Sequence, residues 1–448
     1  MNPALRSIFS ARSYFEDEAR ALLTRVNRVR PFAIQETMVP AAGLERGAQL
    51  AIEYHLIEGR NRVRRMIRNF MRDLRASEGH FVPEVVQRQF TIMRLRFNAS
   101  LSQLDIFADA LSQRSERDTG LWLAGLDVAA RDGLRLKGDY YETPSLICYL
   151  DRGQGAAIRR AKTRLPGGDQ NPVSIIRVPR ERMIGAGIGS SLFHEVGHQA
   201  AALLDLVESV RPQLRRLQQS RPDERDAWAY WDRCISEILA DHWSIARIGI
   251  GSTLGLIGVV TLPSYFVFRL KVDDPHPVPW LRVQLSCAIG LALYPHKQWD
   301  TLERLWEALY PPSSIPRRQR GQFAMLEKTM PALASLLANH RPKSLRGAAL
   351  SEVLGIARRR PEELMRVFRE WQRSPSAIRR APPTLVFAVI GQARFNGSLS
   401  PEREGRMLNS ILKYWALRSA LEVPTKLAKP SNGNIFRTNK KESNYAYQ

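Results

Sequence analysis

Along residues 51–76 the chain reads AIEYHLIEGRNRVRRMIRNFMRDLRA, with apolar residues three and four apart and arginines between them. That period predicts an amphipathic helix, and a second one is expected from Pro83 to about Gln113. The texture changes near Gly120. Residues 140–150, YYETPSLICYL, are rich in β-branched and aromatic side chains, and the glycines of RLPGGDQNP mark a turn before the run 173–178. Pro172 and Pro179 bracket that run, which predicts an edge strand, since proline brings no N–H to a central ladder. A glycine-rich stretch, GAGIGSS, then leads into a helix expected over about 190–210 and ended or kinked by Pro212. Pro222, Asp223 and Glu224 start the next helix, expected to reach about Arg247.

Residues 248–268 hold 21 uncharged positions between Arg247 and Arg269, enough in length to cross a bilayer. Four glycines, several hydroxyl residues, Pro263 and the lack of a second such segment favour a buried core element instead, so no transmembrane anchor is expected. Helical periodicity returns over about 302–419, broken at proline pairs and single prolines and without a repeat period. The polar stretch from 425 on is expected to be a disordered tail.

At 448 residues the chain exceeds what one hydrophobic core ordinarily holds, so two or three domains are expected. The boundaries suggested by texture are a helical N-terminal region over 1–115, a domain with a small β-sheet over 116–300, a basic helical domain over 301–424 and the tail over 425–448. The fold class is mainly α, of the α+β kind. Cys148, Cys234 and Cys287 form no CxxC pair and read as free thiols in a reducing compartment. The first fifteen residues lack a continuous apolar core and run into Glu16, Asp17 and Glu18, which argues against a cleaved leader and for a cytoplasmic location.

Charge changes the picture by region. Residues 116–300 carry 23 basic against 21 acidic side chains, whereas residues 301–448 carry 26 against 11. That asymmetry suggests an acidic partner for the C-terminal part: nucleic acid, an anionic membrane or an acidic protein. A solvated basic face explains it equally well.

The candidate chemistry lies in the neutral middle. SSLFHEVGHQAAALLDLV sets His194 and His198 four apart on an expected helix, so both imidazoles project from one face toward one metal ion. Glu195, about a hundred degrees round the axis, sits beside a metal-bound water as general base. The apolar residues around the motif turn the histidines toward an interior, where they need partners. A catalytic zinc needs a third protein ligand and one open position. Glu208, Glu224, Asp232 and Glu237 are all within reach of a folded-back helix. Glu237 stands out because it alone pairs with an acid four residues on, Asp241, amid apolar neighbours.

HExxH followed on a later helix by ExxxD resembles the gluzincin metallopeptidases. That resemblance covers roughly residues 140–290 and implies zinc held by His194, His198 and Glu237, with Asp241 accepting the Nδ1 hydrogen of His194. It also implies hydrolysis of peptide bonds in a polypeptide substrate, with the strand before the HExxH helix bordering the cleft. DDPHPVPWLRVQ resembles the HP-x(4)-R element of several such peptidases, which makes His276 a candidate donor to the oxyanion and Arg282 its orienting or substrate-binding partner. A structural histidine in a rigid proline turn accounts for the same residues. Nothing like the GxMEN exopeptidase element is present. Gly185, Gly187 and Gly189 have GxGxG and not GxGxxG spacing, so a dinucleotide site is excluded and the glycines are expected to let the chain pass close to the cleft. Two rival readings stay open: a non-enzymatic binding protein working through its basic C-terminal part, and a structural metal closed by Cys234 or Asp241.

Overall fold

The computed structural model describes residues 10–427 apart from 77–81, 152–156, 162, 164, 166–169, 181–184, 186 and 271–273, and only the backbone of 423–427. It is mainly helical with one small sheet. Among the described residues three helices form the N-terminal region: α1 (Ala11–Arg28), α2 (Arg46–Ala76) and α3 (Pro83–Ser112). The Ser10 hydroxyl accepts from the Ser13 N–H at 3.1 Å and so caps α1. Val63, Ile67, Phe70 and Leu74 on α2 turn inward at helical spacing and pack with Phe15, Leu22, Phe90 and Phe97 in a core of their own.

α4 (Arg117–Leu134) is mostly buried from Gly120 on and leads to β1 (Leu146–Asp151), β2 (Ala157–Arg159) and β3 (Ser174–Pro179). The strand order is β1-β3-β2, with β3 parallel to β1 and antiparallel to β2. The expected edge strand is thus the central one. Pro172 precedes the strand and Pro179 closes it opposite Asp151, so both stand at the ends of the ladder, where no interior N–H is lost. Three-residue β2 was too short and too close to glycines to show a strand pattern.

α5 (Gly187–Leu203), α6 (Leu206–Ser220) and α7 (Arg225–Ile248) follow. The break between α5 and α6 comes earlier than expected, at Asp205 in the left-handed region (φ 51°), and Pro212 lies inside α6 instead of ending a helix. The uncharged stretch holds α8 (Ile250–Val260) and the single turn α9 (Ser264–Val267). Among the described residues no helix is long and apolar enough to cross a membrane. The glycines of α8 serve close packing: a Cβ at Gly255 would stand 2.3 Å from the Ser190 Cβ of α5, and Gly251 backs onto Gly391. Gly189 likewise lies against Phe387, where an added Cβ would come within 2.6 Å, so it makes room for a ring and not for a cleft.

The remainder is α10 (Pro279–Leu293), α11 (Gln298–Leu309), α12 (Arg320–Ala338), α13 (Leu350–Leu354), α14 (Pro361–Arg373), α15 (Pro383–Phe395) and α16 (Pro401–Leu427). One hydrophobic core runs from Trp122 through Phe193, Trp231, Trp280 and Phe323 to Phe387 and Trp415, across the boundary expected at 300. Each such fully buried side chain contributes on the order of 1.5–3 kcal/mol. The expected tail lies outside the described residues from 428 on, and α16 continues to Leu427.

Candidate metal centre

α5 and α7 lie in close contact because Gly197, inside the HExxH motif, has no side chain. A Cβ there would stand 2.8 Å from both the Cα and the carbonyl oxygen of Ala240. Ala240 sits between Glu237 and Asp241, so this approach brings both acids to the two histidines. His194 Nε2 and His198 Nε2 lie 3.2 and 3.4 Å from Glu237 Oε2, with the rings at 86° to each other. One ligand atom from each of the three residues falls within 4.8 Å of the others.

Glu237 Oε2 is buried and makes no hydrogen bond among the described residues, although three imidazoles approach it. His194 donates Nδ1–H to Asp241 Oδ1 at 2.7 Å, which in the neutral ring leaves Nε2 with a lone pair. With His194 in that form electron-rich atoms face one another, and a cation between them, a metal ion or a proton, relieves that arrangement. The three residues could hold a metal ion.

Electrostatics follow the same geometry. Burial opposes a charge on Glu237, yet the surrounding imidazoles hold its carboxyl well below the usual range. Burial likewise opposes a charge on Asp241, and Arg282 and His194 outweigh it to keep the carboxylate ionised. His194 is buried too, but Asp241 and Glu237 raise its pKa to about 9. Arg282 forms a fork on Asp241, with Nε to Oδ2 at 2.7 Å and Nη2 to Oδ1 at 2.8 Å. The orienting contact of Arg282 is therefore with Asp241. Glu195 is buried on α5, and its charge is among those that favour the Arg282 cation against burial.

Set against protein-family models, curated proteins and solved structures, the chain matches none.

His276 reaches it from the loop before α10. Its Nε2 lies 3.2 Å from Glu237 Oε2, and its Nδ1 and backbone N–H both meet Asp274 Oδ1, at 2.8 and 3.0 Å. The Glu237 carboxylate, together with Asp274, raises its pKa against burial. The other acids weighed as third ligand lie in other contacts: Glu208 and Asp232 meet Arg211, and Glu224 meets Trp228, Arg221 and Lys328. Asp241 has both oxygens engaged by Arg282 and His194, which leaves none to close a fourth metal position.

Three residues that sequence reasoning passed over help build the centre. Gly197 sets the helix approach, and Asp274 orients His276; an aspartate two residues before a histidine in DDPHP was the available signal. Gln199 is the third: its buried Oε1 accepts from Ser174 Oγ at 2.7 Å and from Ala161 N–H at 3.0 Å, which ties the sheet to α5. Nothing local in the sequence marks it.

Proposed function

We propose that the chain is a zinc-dependent peptidase of the gluzincin kind, with His194, His198 and Glu237 holding the metal. The observation that carries this reading is the convergence of two imidazole nitrogens and a carboxylate oxygen from separate helices within 4.8 Å, with a glutamate next in sequence to the first histidine. Bound there, zinc would supply the Lewis acidity that makes water a usable nucleophile near neutral pH and polarises a substrate carbonyl.

The protein's own groups do the rest. Glu195 accepts the proton of the attacking water and returns it to the leaving amine, general base and then general acid. His276, held at Nδ1 by Asp274, turns Nε2–H toward the negative charge that develops on the carbonyl oxygen. Arg282 and Asp241 act through His194: their fork fixes which of its nitrogens carries the proton. A polypeptide substrate adds to the outer edge of the sheet by main-chain hydrogen bonds. That edge is β2, to which no further strand pairs among the described residues.

Metal analysis of the purified protein, paired with a peptide-library digest of the Glu195→Gln variant, tests this. The expected result is about one zinc per chain in both proteins and hydrolysis by the parent alone, reduced by roughly 100-fold or more in the variant. Stoichiometric metal with no hydrolysis by the parent, or equal hydrolysis by both, overturns it.

A further inference from the structure

Part of the basic excess of residues 301–448 is tied up in ion pairs, and part of the remainder gathers at one cavity. Arg341, Arg366, Arg394, Lys413 and Arg418 each meet a carboxylate. Arg379, Arg403 and Arg406 make no close ion pair among the described residues, although the Arg406 charge is felt by Glu402, and all three rim one cavity of about 550 Å³ between α14 and α16. Its lining contains no aspartate or glutamate, and the nearby Glu402 is engaged by the Ser400 hydroxyl at 2.7 Å. Phe368, Trp371 and Ile411 make an apolar floor.

α16 carries the second observation. Arg403, Met407, Ser410, Tyr414, Leu417 and Leu421 are spaced four, three, four, three and four apart, which places them on one face of the helix over about 27 Å. Of these, Leu417 and Leu421 are 49% and 74% exposed. An apolar seam with this spacing at the helix surface is the pattern that accepts another helix.

We propose that this seam and cavity dock an amphipathic helix of a partner protein, whose apolar stripe lies along Met407, Tyr414 and Leu417 and whose acidic flank meets Arg379, Arg403 and Arg406. A two-fold pairing of this face with that of a second copy would set these arginines against themselves. Charge also disfavours the chain's own residues 428–448, where Lys429, Arg437, Lys440 and Lys441 outnumber Glu442. Single-stranded nucleic acid requires aromatic faces open for stacking. Phe368 and Trp371 are only 3% and 7% exposed, and Arg379 already covers Tyr414 at 5.3 Å.

The probe is a synthetic three-heptad peptide with leucines along one stripe and glutamates flanking it, titrated by fluorescence anisotropy against the full chain carrying Glu195→Gln. Binding at about micromolar concentration is expected, weakened about tenfold or more by Arg403→Glu with Arg406→Glu and similarly by Leu417→Asp. A lysine-flanked peptide should prefer the double variant, which a merely misfolded protein would not produce. Equal binding of glutamate- and lysine-flanked peptides by the parent overturns the proposal. So does arginine-dependent binding of phosphatidylserine vesicles or single-stranded DNA in the absence of peptide binding. None of these readouts involves the metal or hydrolysis, so the fate of the peptidase reading is decided separately.

Discussion

Arg114 with Asp127 and Arg282 with Asp241 are built alike: each is a buried guanidinium that grips an aspartate through two nitrogens. They differ in what else the pair holds. Asp127 Oδ1 also accepts from the Cys148 N–H at 2.7 Å, and Arg114 donates to the Cys148 carbonyl at 2.7 Å, so the first pair closes on backbone and fastens α4 to β1. Asp241 gives its second contact to His194 Nδ1, so the other pair acts on an imidazole whose far nitrogen faces Glu237. The same fork serves shape in one place and the electronic state of a candidate metal ligand in the other. What tells them apart is not burial or charge but whether the third contact is backbone or a titratable ring.

Breaking the first fork should produce the largest effect. Asp127→Ala leaves Arg114 buried and unpaired, which costs about 3–5 kcal/mol of stability. Denaturant unfolding should record that loss, while any metal affinity of the molecules still folded stays at the parental value. Equal loss of metal would mean the two forks are not separable. Next in size is Asp241→Asn, which keeps the shape but weakens the acceptor at His194 Nδ1. It should lower metal affinity about 10- to 100-fold in a chelator competition, equivalent to roughly 1.4–2.7 kcal/mol. An unchanged affinity would make the second fork a structural one like the first.

The comparison also shows what a sequence can reveal. The helices of the N-terminal region were legible, since Val63, Ile67, Phe70 and Leu74 repeat at the helical period and bury together. His194, His198, Glu237 and Asp241 were legible because fixed spacing on single helices puts each pair on one face. The central position of β3 was not, because it depends on β2, a three-residue strand recruited by pairing and not by its own composition. Gln199 acts only through tertiary contacts, which no periodicity marks, whereas Asp274 acts on His276 two residues on, a local contact whose use shows only once His276 stands against Glu237. Gly197 was in plain view within the motif, but its purpose is apparent only once Ala240 is seen against it. The glycines of residues 248–260 are explained in the same way, by helices that lie too close for side chains.

The smallest expected effect comes from an imidazole on α7 that has no fork. His242, one residue beyond Asp241, is fully buried, and neither ring nitrogen has a partner among the described residues. Burial, with a smaller effect from the nearby His340, lowers its pKa to about 4. His194, in the same interior but held by Asp241, moves the opposite way. Because the folded state resists protonating His242 while the unfolded chain takes up the proton near pH 6.5, stability from this group is full above that pH and is lost as the pH falls toward 4. Between pH 7 and 5.5 the loss amounts to about 1 kcal/mol. His242→Leu should remove that part of the slope in parallel denaturant titrations of the two proteins, whatever its effect on stability at pH 7. An identical slope would mean that His242 finds a hydrogen-bond partner in solution, and that a carboxylate is not what separates the two histidines.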